Sequence, residues 1–251
     1  MIIAITGKGG VGKTTISALI IRQLLKNNCR PVLAIDADPN NCLDRALGIT
    51  VTQTVGRARE EVRQEAAEAA KNGISKQELL NLKIAESLVE SNGFDLISMG
   101  RPEGAGCYCY ANNVLKGVIT QIADEYPFVV LDNEAGLENL SRRIVQKVDA
   151  LLLASDSSNS GMETLARLHG LTQEMGIKYN KLLLIVNRLR SDKIPEKMSE
   201  IQSITGADGV IGLPDNLEIS DFAENNMNFL DIPDTNPVVL KINEMIKTIN
   251  C

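Results

Sequence analysis

The sequence of 251 residues predicts an α/β fold with a mostly parallel central sheet flanked by helices on both faces. Three observations carry that expectation. Short apolar runs alternate with longer helical stretches, several of the runs have no polar side, and a glycine-rich, lysine-bearing turn separates the first run from the first helix. The runs are Ile2 to Ile5, Val32 to Ile35, Phe94 to Ser98, Phe128 to Leu131, Ala150 to Ala154, Leu182 to Val186 and Val210 to Ile211. A continuous stretch such as Leu-Leu-Leu-Ile-Val at 182–186 suits a strand covered from both sides. Between Thr54 and Glu90 a polar stretch rich in Glu, Ala and Lys predicts helices outside the sheet, an insertion at about 54–90. It would act as a solvated lid or partner surface, or simply as a covering helix pair. No internal repeat or low-complexity linker interrupts the chain, so residues 1–251 are expected to form one domain.

Composition narrows the function classes. With 44% hydrophobic and 23% charged residues the chain is expected to be globular. A chain of this size buries roughly 70–75% of its unfolded surface, so the core needs no structural metal and any metal site calls for a functional reason. No apolar run reaches the ~18–20 residues of a membrane span, and the chain opens on a glycine-rich segment instead of a signal peptide; no membrane partner and a cytoplasmic location are expected. The formal net charge of -6 has the wrong sign for neutralising phosphates of a nucleic acid, and none is expected as partner. Five cysteines, an odd number, favour reduced thiols or metal ligation over a disulfide framework.

Gly7-Lys8-Gly9-Gly10-Val11-Gly12-Lys13-Thr14-Thr15 satisfies the phosphate-loop pattern and then opens a helix, expected at Ile16. Glycines at 9, 10 and 12 let backbone N–H groups wrap a phosphate together with Val11. The helix N-terminus adds its dipole, Lys13 a charge for the outer phosphates, and the Thr14 hydroxyl a ligand for Mg²⁺. Asp36 and Asp38 follow the second strand at its C-terminal end, where ligands of open α/β sheets bind. Carboxylates there can orient water or hold metal-bound waters, or one of them can cap the next helix, a reading that applies more to Asp36. Phe128 to Asp132 is an apolar strand ending in an acid, the shape of a Walker B strand whose Asp132 would hold a Mg²⁺-ligating water or the Thr14 hydroxyl.

Lys8, a second lysine in the loop, marks the deviant loop of the MinD/ParA-like group, which includes nitrogenase iron protein and arsenite-pump ATPases, and the chain resembles that group. The resemblance implies ATP and ADP as ligands, with Mg²⁺. It implies a homodimer in which Lys8 reaches the nucleotide of the facing subunit; the alternative is a solvated loop charge. It also implies a water-positioning role for Asp38 supported by Asp36, a switch glycine at Gly136, and adenine-side positions at Asn187, Arg188, Pro214 and Asp215. Glu134 is the next candidate for the catalytic acid.

Cys107-Tyr108-Cys109 is the other distinctive feature. Two thiolates one residue apart chelate a soft or borderline cation such as Ni²⁺ or Zn²⁺ but supply half of a tetrahedral set. Cys29, Cys42 and Cys251 are not natural partners by position, whereas a two-fold axis would complete a four-thiolate site between subunits. Packing cysteines or a redox pair are the alternatives. The only histidine, His169, lies in a helical stretch and reads as a surface or packing residue.

The segment from Pro102 to Cys107 is similar to the cluster-binding segment of nitrogenase iron protein, whose second cysteine falls within Asp132 to Gly136. No cysteine stands there, which argues against a shared cluster of that type. The Cys-x-Cys pair together with Asp132 to Arg143 instead resembles the CooC family over essentially the whole chain. Those proteins are ATPases that help insert nickel into carbon monoxide dehydrogenase, with close relatives serving acetyl-CoA synthase. That resemblance implies metal- and ATP-promoted dimerisation and a client nickel enzyme. An iron–sulfur carrier or scaffold ATPase and a MinD/ParA-like spatial-organisation ATPase are the alternatives.

Overall fold

A computed structural model describes residues 1–101, 117, 122–134, 147–191 and 193–249. In chain order these form β1 (Ile2–Gly7), α1 (Lys13–Lys26), β2 (Val32–Asp36), α2 (Leu43–Ala46), α3 (Val55–Lys71), α4 (Lys76–Ala85), β3 (Leu88–Glu90) and β4 (Phe94–Ser98). Then follow β5 (Phe128–Asp132), β6 (Lys147–Asp156), α5 (Asn159–Glu174), β7 (Lys178–Leu189), α6 (Lys197–Thr205), β8 (Gly209–Pro214), α7 (Leu217–Glu224) and α8 (Pro237–Thr248). Among the described residues the sheet has the order β3-β4-β2-β5-β1-β6-β7-β8. Every pair is parallel except β3 against β4.

Side chains alternate across the strands as the two-residue period requires. Ile3, Ile5, Val32, Ala34, Leu152 and Leu183 join the apolar face of α1 and α8 in one core. Ala4, Leu33, Ile35, Leu151, Leu153 and Leu184 join residues of α3, α4, α5 and α6 in the other. Both faces of the central strands are thereby covered, the arrangement that an unbroken apolar run demands. Each fully buried Ile or Leu of these layers contributes about 1.5–3 kcal/mol by leaving water.

The structure departs from the expectations in two places. The stretch 54–90 is helical over α3 and α4, but its last residues form β3, an antiparallel edge strand registering Leu88 with Ile97 and Glu90 with Asp95. The helix expected from Ile16 begins at Lys13, because Gly12 at φ 91° ends the turn and its carbonyl already accepts from Ile16 N at 2.9 Å.

Candidate functional site

The parallel strands bring the ends of β1, β2, β5 and β7 together on one edge of the sheet, with Asp36 directly opposite Asp132. Two glycines shape the loop there. A Cβ at position 7 would sit 2.2 Å from the carbonyl oxygen of Ala154, so β1 leaves the sheet closer to β6 than any side chain permits. A Cβ at position 12 would meet Asn187 Nδ2 at 2.6 Å while Gly12 holds a left-handed φ. Helix α1 then starts with no side-chain cap and no acid in its first turn, leaving its amides free for an anionic ligand. Lys13 is buried, its Nζ donating to the Lys8 carbonyl at 3.2 Å, and burial lowers its pKa against the opposing pull of Asp132, Asp38 and Glu134. The Lys8 side chain is exposed.

Three carboxylates at this end of the sheet stand in different states. Asp132 is buried; it accepts from the Thr14 hydroxyl, and its Oδ1 accepts from Ser17 Oγ at 3.1 Å. Its Oδ2 is buried without a hydrogen-bond partner among the described residues. Desolvation pushes its pKa up to about 6, partly offset by Thr14, Ser17 and Lys13. Asp36 is fully buried and ties its own loop, accepting from Asp38 N and Leu43 N, each at 3.0 Å. Burial and the neighbouring Asp132 hold its carboxyl well above the usual range. The Leu43 bond caps the start of α2, the helix-capping alternative raised by its position. Asp38 is partly exposed, and its Oδ1 accepts from Asn40 N and Nδ2 at 2.8 and 2.9 Å.

Beside the loop lies a small recess lined by Gly12, Thr15, Asn187, Arg188, Pro214 and Asp215, bringing together all four positions assigned to the adenine side. Asn187 Nδ2 donates to the Val11 carbonyl at 2.8 Å, so its amide braces the loop from β7. Arg188, at φ 56°, lies within β7 where the register against β8 shifts between Val186 and Leu189, and Asp215 N donates to the Leu189 carbonyl at 2.8 Å.

Cys107, Cys109, Gly136 and Cys251 lie outside the described residues. Cys42 is exposed at its residue surface, and partial desolvation of its thiol, then the charges of Asp36 and Asp38, raise the thiol pKa, which opposes thiolate ligation. Cys29 is half-buried beside the core of α1. Among the described residues no three His, Cys, Asp or Glu side chains are grouped to hold a metal. His169 packs edge-on to Tyr179 and shares a hydrogen bond of 2.9 Å with its hydroxyl, a packing role. Sequence reasoning missed Ser17 and Asn40. Ser17 carried one signal, a lone hydroxyl one turn after Thr14 in the apolar run of α1.

A strand, a glycine-rich turn, a buried lysine and an uncapped helix, backed by a buried acid on the adjoining strand, define a P-loop ATP-binding protein. A family model described as an AAA domain, AAA_31, matches residues 1–185, and the chain belongs to that family. It is 38% identical over 250 residues to an uncharacterized ATP-binding protein of Methanocaldococcus jannaschii, covering 99% of this chain and 98% of that one. It is 32% identical over 207 residues to the carbon monoxide dehydrogenase accessory protein CooC of Rhodospirillum rubrum, covering 76% and 75%. In structure it resembles the septum site-determining protein MinD of Pyrococcus horikoshii complexed with Mg-ADP, with TM-score 0.71, 18% identity and coverage of 99% and 95%. The last likeness is one of fold, and the chain is a MinD/ParA-like P-loop protein in architecture.

Proposed function

We propose that this chain is an ATP-dependent maturation factor that couples ATP-driven dimerisation and hydrolysis to nickel insertion into carbon monoxide dehydrogenase or acetyl-CoA synthase. The carrying observation is the loop in which buried Lys13, Thr14 and Asp132 converge, in a chain 32% identical to CooC. The loop amides and the N-terminus of α1 bind the phosphates, and Lys13 sits beneath them as a desolvated charge. The residues fit Mg²⁺: Asp132 Oδ2 is a buried oxygen with no described donor, on the carboxylate that also takes the Thr14 hydroxyl. Mg²⁺, held by Thr14 and through water by Asp132, supplies charge neutralisation on the outer phosphates when bound. Ser17 holds Asp132 Oδ1, so the acid keeps one oxygen turned to the site. Asp38, the most exposed of the three acids, orients the attacking water, and Asp36 fixes the loop that carries it.

In this reading Lys8 crosses to the facing subunit, for which its exposed side chain is suited, and the Cys107 and Cys109 thiolates of two chains carry the nickel as cargo. Asn187, Arg188, Pro214 and Asp215 receive the base. A spatial-organisation role of the MinD kind needs a membrane handle. The apolar face of α8 is instead packed in the core through Val238, Val239, Ile242, Met245 and Ile246.

The test is transfer. Nickel-loaded protein with Mg-ATP should activate nickel-free carbon monoxide dehydrogenase faster than free nickel does, and Mg-ADP should not substitute. Equal activation by free nickel would remove the maturation role while leaving ATP binding intact.

A further inference from the structure

We propose that Asn40 and Arg101 are positioning residues for Asp38, joining the loop after β2 to the exit of β4. The proposal rests on the reading of Asp38 as the water-orienting acid. Both bonds from Asn40, through its backbone N–H and its side-chain amide, fall on Asp38 Oδ1, at 2.8 and 2.9 Å. Neither of these bonds uses Oδ2, the oxygen the proposal gives to the water. Asn40 Oδ1 in turn accepts from Arg101 Nη2 at 2.5 Å.

An amide is suited to this middle position because one end donates and the other accepts. Its NH₂ must face the carboxylate and its oxygen the guanidinium, so a single orientation satisfies both neighbours. A carboxylate at position 40 would repel Asp38, and a hydroxyl would not span the gap with the same fixed polarity. Arg101 thus sets the amide, and the amide sets the rotamer of the acid.

Neighbouring contacts make the joint two-stranded. Asn41 takes a left-handed φ of 48°, its N–H closes a turn on the Asp38 carbonyl at 3.1 Å, and its Oδ1 accepts from Gly100 N at 3.0 Å. Met99 N donates to the Asp36 carbonyl at 2.8 Å, and the Met99 carbonyl accepts from Gly56 N at the start of α3. Gly100 is required by its left-handed φ of 65° and by crowding, since a Cβ there would meet Thr54 Oγ1 at 2.4 Å. The backbone at 99–100 is therefore anchored independently of the Arg101 side chain, so Arg101 reaches Asn40 from a fixed stem.

Steady-state ATPase kinetics on the full chain test this, with ATP affinity and thermal melting measured beside them. Asn40→Ala is expected to lower kcat about tenfold and Arg101→Ala about three- to fivefold, each with KM for ATP changed less than about twofold, because Lys13 and the loop amides still bind the phosphates. Adding Arg101→Ala to Asn40→Ala should cause no further fall, and Arg101→Lys, which keeps a donor, should recover most of the loss. Multiplicative losses in the double variant, or a rise in KM with kcat intact, overturn the positioning role. Asp38→Ala separates the two readings. Parent-like turnover in Asp38→Ala removes the catalytic assignment and this proposal together, whereas an inactive Asp38→Ala with independent effects at 40 and 101 removes the positioning role alone.

Discussion

Lys13 illustrates how a single side chain concentrates the site's chemistry. Its ammonium is buried among carboxylates, so burial and attraction act in opposite directions on one charge. Lys13→Ala is expected to reduce ATP turnover by at least about a hundredfold while the fold survives, checked by phosphate release beside a melting curve. Asp132 carries a pH dependence with a definite sign. Its folded pKa, about 6, lies above the ~3.9 of an unfolded carboxylate, so between these values the native state holds a proton that the unfolded state has lost. Stability of the nucleotide-free protein therefore falls as pH rises through that window, and the penalty is complete above it. Asp132→Asn should raise stability at pH 8 by on the order of 2 kcal/mol and leave it unchanged near pH 4, measured by denaturant unfolding at both pH values. The order of residues in the loop, Lys13 and Thr14 included, is legible from spacing alone, and Gly7, Gly10 and Gly12 answer a backbone demand, by close approach at 7 and left-handed φ at 10 and 12. Asn40 was not legible, and Ser17 only as a lone hydroxyl in an apolar run without an assigned partner. Ser17 acquires its role from a strand that begins 111 residues later, and Asn40 from the far side of β4.

At the scale of elements, apolar runs disclosed the central strands because these are covered on both faces, which is what removes polar residues from them. β3 escaped notice for the opposite reason. It has three residues, sits at the edge, and is defined by pairing with β4, so no periodicity precedes it. β6 and β7 extend beyond their apolar cores through Lys147, Asp149, Lys178 and Asn180, whose polar side chains hid the strand ends. Helix α4 announces itself through a reciprocal cap. Ser75 Oγ accepts from Glu78 N at 3.2 Å and Glu78 Oε2 accepts from Ser75 N at 2.8 Å. Ser75→Ala should cost about 1 kcal/mol, read as a lower denaturant midpoint at constant slope, with ATP turnover unchanged because the helix lies away from the loop.

For the whole molecule, the proposed dimer rests on Lys8. The sheet places the exposed Lys8 at the same edge as the acids, and a lysine that were merely local would have no reason to tune dimerisation. Lys8→Ala should bind ATP within about threefold of the parent, since Lys13 and the amides remain, yet should lose the ATP-dependent shift to dimer seen by sedimentation. The proposed cysteine site makes a separate demand on the dimer. Two thiolates per chain fill half a tetrahedral site, so Ni²⁺ or Zn²⁺ should bind tightly at one ion per two chains and promote dimerisation by mass action. Alanine at Cys107 or Cys109 should abolish this, while alanine at Cys29, Cys42 or Cys251 should not. Affinity should fall as pH drops below neutrality, because the thiols must lose protons to bind. The two routes to the dimer can then be crossed. Lys8→Ala should still dimerise with metal, and Cys107→Ala should still dimerise with ATP, if the contacts are distinct. One ion per chain on a stable monomer would instead place the remaining ligands within a single subunit, and the shared metal site would have to be abandoned even with every loop prediction upheld.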